Sequence, residues 1–565
     1  MLLTSWIRGF QQRLLVRRAA QPRRQTSQFT PTVAIVEVLE QRQLLSGFAA
    51  TDGASVVATW IGSYTAVQIQ PGDQKIVAAG NAADPALNIG LAVARFDSQG
   101  NADATYGSGG LSNPLQGAKP QSAWALALQP DGKAVVAGDN GLDVGVARLN
   151  TNGSPDSSFG TGGFNTFSVQ PGYDSARGIG LQSTGKIVVS GFSGSSTDPN
   201  SSVSSAFLAR FTINGAIDSG NGGFGKVTHG KATGDAITSF GPNSNFDALA
   251  VQPDNKVVAV GTFSPASYEL VVARYTAAGV LDTSFNGNGY SEFLPAGLSY
   301  TEGWSVALQS DGKVVAAGDC LGVDGQRDIL VARFNSNGTL DTSFGGGAGY
   351  ARLHVGGGTS PTYDYGRGVA IQSDGKIVVG GWETVSGVGA SVLVTRFNTD
   401  GTPDQTFAPG GFKVGASAAG HAFVGYGIAL ESDGSIIVAG SDHARIAGTN
   451  GSTTYPMLTR FFGSSTPASA LPASGNLALA PAAAPLTAMR RLTQPGGKWA
   501  LAGSLGSNVG SNNLSQPGST VIQVGGTVAL AVPDIGGGSA DNLAGVGDDL
   551  FDSHGTNLLK GRNRR

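Results

Sequence analysis

The chain has 565 residues, 13% of them charged, with a net charge of −3, 87 glycines and one cysteine, Cys320. Ordinary soluble proteins carry roughly 25% charged residues and about 7% glycine, so this balance suits short strands joined by tight turns, not helices. It gives no electrostatic reason to bind nucleic acid or an acidic membrane; one cysteine excludes an internal disulfide and cysteine-based metal clusters, and no run of 18 apolar residues marks a transmembrane helix.

Residues 1–50 stand apart. Arg8, Arg13, Arg17, Arg18, Arg23 and Arg24 all precede the first acid, Glu37. A basic, acid-poor start reads as a targeting segment, although the apolar core of a secretory signal is missing. Leu39-Glu40-Gln41-Arg42-Gln43-Leu44-Leu45 resembles the LEPR-XLL motif found near the start of many exported or surface proteins of planctomycete bacteria, with Gln41 where that motif has proline. The resemblance implies export; a chance Leu/Arg-rich stretch is the alternative.

Residues 51–462 repeat. Aligned on Gln70, Gln129, Gln182, Gln252, Gln309, Gln372 and Glu431, they give seven copies spaced by about 60 residues, a period that suggests propeller blades or a solenoid. Each copy reads as four strands. The second alternates bulky residues (Val67/Ile69, Leu126/Leu128, Val306/Leu308, Val369/Ile371) with mostly small ones, which suits a sheet stacked between two neighbours. The third is continuously apolar, as in IVAAG from Ile76 and IVVGG from Ile377, and predicts a strand covered on both faces.

The turn between them, Pro130-Asp131-Gly132-Lys133, has proline to fix φ, Asp to cap and Gly for the left-handed position. In the fourth copy Asn255 replaces the glycine, a swap that turn geometry tolerates and that catalysis would not predict. The repeated Asp is therefore a turn residue; the alternative, repeated metal or acid–base carboxylates, lacks a calcium-loop pattern.

Arg95, Arg148, Arg210, Arg274, Arg333, Arg396 and Arg460 recur on the fourth strand. Eight residues after the first six come Asp103, Asp156, Asp218, Asp282, Asp341 and Asp404, and five residues after them comes a glycine (Gly100 to Gly401). A fixed offset across a loop predicts one structural Arg–carboxylate pair per copy. The seventh copy keeps Arg460 but lacks the Gly and Asp. The aromatic that follows (Tyr106, Phe159, Phe285, Phe344, Phe407, with Phe224 displaced in the third copy) is expected to plug the space between copies.

QPDGKIVVAG-type, LVARFNxxG and DxSFG motifs at this period resemble the delta-60 repeat family, over roughly residues 55–462. The resemblance implies an all-β fold, a seven-bladed β-propeller of four-stranded antiparallel blades, in large and often exported bacterial proteins; it implies no known activity.

Antiparallel order puts the near-constant turns on one face and connections of variable length on the other, such as FSGSSTDPNSSVSSA from Phe192. Binding residues favour variable loops on a rigid scaffold, so that face is the candidate surface; tolerated insertions are the bland alternative. Five residues before the alignment marker the copies hold Thr65, Trp124, Arg177, Asp247, Trp304, Arg367 and Tyr426, changing chemistry among near-uniform neighbours. Trp124, Arg177, Trp304, Arg367 and Tyr426 are the candidate ligand-binding residues, for a sugar or anionic polymer; capping the core beneath the loops is the alternative. The partner is unassigned, a surface glycan or a protein being the candidates, and the chain is expected to be a monomer.

Enzyme signatures are missing. His229, His354, His421, His443 and His554 are scattered, and no HExxH, GxSxG or GxxxxGK[ST] motif is present. No catalytic residue, metal ligand or cofactor is assigned, although Asp139, Asp143 or Asp198 are candidates for calcium stabilisation. The expected function is a non-catalytic exported or cell-surface binding or scaffolding module; the alternative is a metal-assisted hydrolase or lyase at a central pore, which would show clustered acids or histidines at the pore mouth. Residues 1–50 are expected to be mostly disordered, and residues 463–565 read as a disordered, low-complexity Ala/Gly/Ser/Pro-rich tail in which STVIQVGGTVALAV from Ser519 could pair as a short hairpin.

Overall fold

The computed structural model describes residues 48, 53–57, 62–83, 89–113, 122–169, 172–194, 204–218, 226–228, 243–264, 267–355, 362–385, 389–415, 420–445 and 452–463, and strand backbone at 490–493, 499–502, 521–524 and 527–530. Among these residues the fold is all-β, with two single 3-10 turns at Gly345–Gly347 and Pro409–Gly411 and no α-helix. No helix among the described residues is long and apolar enough to cross a membrane. Apart from Phe48, the targeting segment with its LEPR-XLL-like motif lies outside the described residues, as do Asp198, Phe224, His229 and His554.

One strand, β1 (Ala54–Val57), leaves for the far end of the array. The next four, β2 (Gly62–Ile69), β3 (Ile76–Ala83), β4 (Ile89–Phe96) and β5 (Leu111–Ser112), form an antiparallel sheet in sequence order. The same order recurs in sheets that begin at Ser122–Leu128, Asp174–Leu181 and Ser244–Val251. An eight-stranded sheet holds two further sets, from Leu298–Leu308 and Thr362–Ile371, joined by a single parallel bridge between Arg327 and Tyr363. This register corrects where a copy is cut. The strand after each DxSF motif, counted from sequence as the first of the next copy, is the outer edge of the sheet that carries the preceding Arg.

The first strand of each set touches the first strands before and after it, and His421–Leu430 touches Gly62–Ile69. Second strands are covered on both faces, as their unbroken apolar runs require. Val135, Ala137 and Val146 pack on Ile187, Val189 and Phe207 of the following sheet, and Val258 and Val260 on Val314 and Ala316. Tyr64, Val67 and Ile76 pack on Ile437, Ala439 and Leu458, so the first sheet meets the last. Cys320 lies in this core, where burial pushes its thiol up to about 12 and leaves it unreactive.

Every first strand is bulged. The ladder skips one residue between Tyr64 and Ala66, Ala123 and Ala125, Ala176 and Gly178, Phe246 and Ala248, Gly303 and Ser305, Gly366 and Gly368, and Gly425 and Gly427. The skipped residues are Thr65, Trp124, Arg177, Asp247, Trp304, Arg367 and Tyr426, the position whose chemistry varies among copies. A bulge re-aims one side chain and bends its strand. Opposite each bulge stands the glycine that ends the apolar run: Gly80, Gly138, Gly191, Gly261, Gly318, Gly381 or Gly440. A Cβ there would lie 1.7–2.0 Å from a carbonyl oxygen of the bulged strand. The last residue of the VVAG motif is therefore dictated by backbone approach.

The last sheet runs His421–Leu430, Ile436–Arg445, Ser452–Phe461, and takes β1 as its fourth strand, with Ala54 opposite Arg460 and Val57 opposite Met457. Gly53 N–H donates to Arg460 O at 2.9 Å and Phe48 N–H to Gln99 O at 2.5 Å. The Phe48 ring covers Gly100, as Tyr106 covers Gly153 and Phe159 covers Gly215. Parts that the seventh copy lacks thus come from chain ahead of the first copy. In the tail, Val521–Val524 pairs with Thr527–Leu530 where the hairpin was expected, and Arg490–Thr493 pairs with Trp499–Ala502, which the sequence did not suggest.

Candidate functional site

Two sets of charged residues emerge from the repeat, and they differ in kind. On the constant-turn side, Arg Nε donates to Asp Oδ2 at 2.6–2.8 Å in Arg95–Asp103, Arg148–Asp156, Arg210–Asp218, Arg274–Asp282, Arg333–Asp341 and Arg396–Asp404. Three further contacts lock five of the six pairs, and Arg210–Asp218 shares the first of them, from Lys186 Nζ to Asp218 Oδ2 at 3.0 Å. The turn lysine reaches the same oxygen (Lys133 Nζ to Asp156 Oδ2, 2.9 Å). The hydroxyl two residues on bonds the other oxygen (Ser158 Oγ to Asp156 Oδ1, 2.7 Å). The guanidinium lies over the DxSF aromatic, with Arg148 Cζ 4.8 Å from the Phe159 centroid.

Nη1 then crosses to the next sheet, from Arg95 to Thr151 O and from Arg148 to Ile213 O, both at 2.6 Å. Arg460 Nη1 reaches back to Ser98 O at 3.3 Å, from the last sheet to the first. The pairs are inter-sheet clasps as well as bonds within a sheet. Burial alone would raise the Asp156 carboxyl, but hydrogen bonds from Lys133 and Ser158 and the charge of Arg148 outweigh it and hold it well below the usual range. The same balance brings Asp282 down to about 2.

The second set lies on the first strands, where the bulges gather the variable residues. All seven are half-buried. Thr65 Oγ1 donates to Ala123 O at 2.6 Å. The Arg177 guanidinium sits 3.9 Å above the Trp124 ring centroid, and that of Arg367 3.7 Å above Trp304 and 4.8 Å from Trp382. Tyr426 meets Trp382 edge to face at 5.8 Å. Burial pushes the Asp247 carboxyl up to about 7 against the opposing pull of Arg177 and Arg367. Burial also raises Glu302, helped by Asp319, against Arg327 and Arg367. Arg327 Nη1 is 3.0 Å from Asp319 Oδ2 and Arg367 Nη1 is 3.7 Å from Asp319 Oδ1. The set therefore gathers the acids Asp247, Glu302 and Asp319 with cations stacked on tryptophans.

Among the described residues, buried donors without a hydrogen-bond partner outnumber such acceptors here, of which Asp319 Oδ1, 3.7 Å from Arg367 Nη1, is one. Arg177 Nε and Nη2, Arg367 Nη1, Trp304 Nε1 and Trp382 Nε1 are buried without a hydrogen-bond partner among the described residues. Such atoms call for water or a ligand. Asp139 is engaged already, accepting from Trp124 Nε1 at 3.0 Å and Ser175 Oγ at 3.1 Å. Asp143 belongs to the same turn, its N–H donating to Asn140 Oδ1 at 2.8 Å.

Asp319 and Trp382 escaped the sequence reading, yet a signal existed. The residue after each constant glycine is Asn81, Asp139, Phe192, Thr262, Asp319, Trp382 or Ser441, a second position that changes chemistry from copy to copy.

The histidines serve other ends. His443 is buried between Ser441 Oγ and Thr454 Oγ1, each at 3.0 Å, and burial lowers it to about 4. His421 pairs with Asp442 at 2.8 Å. His354 Nδ1 lies 2.8 Å from Asp328 Oδ1 and 3.4 Å from Asp364 Oδ2, in the one group among the described residues with metal-ligand spacing.

Segments 129–159, 182–220, 252–285, 309–344 and 372–407 match the family model described as "Domain of unknown function (DUF5122) beta-propeller". With the repeated sheets, this supports a β-propeller repeat family. Similar solved structures include a catalytically inactive virginiamycin B lyase from Staphylococcus aureus with quinupristin (11% identity, TM-score 0.40, 72% of this chain and 98% of that one). An ulvan lyase (11%, 0.38, 72% and 97%) and a protein of unknown function from Dyadobacter fermentans (12%, 0.36, 73% and 99%) are similar as well. No curated protein matches the chain.

Proposed function

We propose that this β-propeller repeat protein is a non-catalytic binding or scaffolding module, exported to the cell surface or beyond, that takes an anionic, acceptor-rich ligand where its bulged inner strands meet. In this reading the sheets are seven blades of one ring sealed by β1, the repeats are of the delta-60 kind, and the LEPR-XLL-like stretch marks export. The observation that carries it is the donor surplus on Arg177, Arg367, Trp304 and Trp382. A carboxylated or sulfated sugar supplies acceptors for both guanidiniums in the bidentate geometry that arginine favours. The seven half-buried bulge residues make the floor of that site, and the variable loops its rim.

Asp247 and Glu302 favour a second reading, a hydrolase or lyase. Carboxyls raised toward neutrality beside cations are what general acid–base chemistry requires.

Titration of the full chain with polygalacturonate, a sulfated glycan and a neutral glucan, followed by tryptophan fluorescence, tests both. Binding of the acidic polymers is expected, weakened about tenfold or more in a folded Arg177→Ala/Arg367→Ala variant. Equal affinity for parent and variant, or none for any acidic polymer, would sink the binding site. Appearance of shortened or unsaturated products from a bound polymer would replace the scaffold with the enzyme.

A further inference from the structure

We infer that Asp328, His354 and Asp364 form a site for a divalent cation of the zinc type, independent of the inner-strand site. One ligand atom from each lies within 4.8 Å of the other two. The His354 Nδ1 distances of 2.8 Å to Asp328 Oδ1 and 3.4 Å to Asp364 Oδ2 are close to those between ligands of a tetrahedral ion. Bonds of about 2.0–2.2 Å at tetrahedral angles set ligand atoms about 3.4 Å apart. One imidazole with two carboxylates suits a borderline d-block ion better than calcium, which takes oxygen alone.

Charge and burial point the same way. Asp328 and Asp364 are 1% and 0% exposed. Asp324 adds a third carboxylate nearby, and Arg352 answers both Asp324 and Asp328 through Asp324 Oδ2 and Asp328 Oδ2. Asp328 Oδ1 is left facing the imidazole. Asp364 Oδ2 accepts the Val355 N–H at 2.7 Å, while its Oδ1 is buried with no hydrogen-bond partner among the described residues. A cation held by His354 Nδ1, Asp328 Oδ1 and the Asp364 carboxylate would displace the proton between His354 and Asp328. An open depression of about 310 Å³, lined by Asp324, Gln326, Asp328, Arg352 and His354, gives it a way in and room for water in the remaining position.

The purely structural use of these residues is visible one repeat pattern away. In the sheet that begins at Asp174, Asp174 Oδ2 accepts the Val169 N–H at 2.6 Å, the same loop cap. There Ser168 stands in place of His354 and Asp143 in place of Asp328. Capping therefore needs no histidine, and among the described residues it is here that an imidazole joins two carboxylates at metal-ligand spacing.

The test is calorimetric titration of chelator-stripped full chain with zinc chloride, and in parallel with calcium chloride. One zinc equivalent is expected to vanish in His354→Ala and to weaken about tenfold or more in Asp364→Asn. His354 is exposed, so its variant is expected to melt like the parent without metal and to lose the zinc-induced rise in Tm. Zinc bound equally by parent and His354→Ala, no zinc bound by the parent, or calcium bound as tightly as zinc would each overturn the inference.

Discussion

Gly261→Ala is expected to destabilise the protein by about 3 kcal/mol or more, near the upper end for overpacking substitutions. The new methyl would lie 1.9 Å from the Asn245 carbonyl oxygen, 2.7 Å from its carbon and 2.8 Å from the Phe246 Cα, all backbone atoms that no rotamer can move. Relief requires straightening the bulge, which would also withdraw Asp247 from Arg177 and Arg367. Chemical denaturation of parent and variant measures the loss. Gly132→Asn is the control, since that glycine owes its place to φ +81° and Asn255 already fills the matching place at φ +65°. A change below about 1 kcal/mol in Gly261→Ala would show that the close approach does not constrain the sheet.

Asp156→Ala is expected to cost about 3–5 kcal/mol, because it leaves Arg148 buried and uncompensated. The Arg148 and Asp156 side chains are 5% and 7% exposed. The clasps also set a pH dependence. Their carboxyls lie below the unfolded value of about 3.9, so the stability they contribute is complete above it and is lost as pH falls through the folded values, about 2 for Asp282. Asp247 and Asp364 behave oppositely: both are raised to about 7, chiefly by burial, so folding is favoured while they are protonated and weakens as pH rises from about 4 through 7. Stability is therefore expected to peak on the acid side of neutrality, between about pH 4 and 6, with Asp247→Asn flattening the neutral limb. Denaturant midpoints across pH 2–8 decide it, and a steady rise from pH 4 to 8 would contradict the assignment.

What was legible in the sequence was local. The DGK turn needs only the φ preferences of four successive residues, and Arg148 and Asp156 are held at a fixed offset by one loop. The lysine of the turn is equally regular, but its partner Asp156 belongs to a different turn, so nothing within the turn itself announces the ion pair. The glycine opposite the bulge was invisible as a constraint, since the atom that excludes a side chain lies on the paired strand. Periodicity gives a spacing but no starting point, and so the outer strand was counted one copy late. His354 and Asp364 are apart in sequence and meet only through a loop, and nothing in either neighbourhood announces the other.

The seam between β1 and the last sheet has a mechanical consequence. Ala54 pairs with Arg460, so the chain enters one strand and leaves the other at the same end of the ladder. Tension between the two flanks would load these hydrogen bonds one after another, as a zipper opens, instead of all together in shear. The protein should yield at low force there, first releasing the four residues of β1. When both flanks are held at one point, the same geometry leaves the whole array unloaded, hanging as a pendant on a doubled tether.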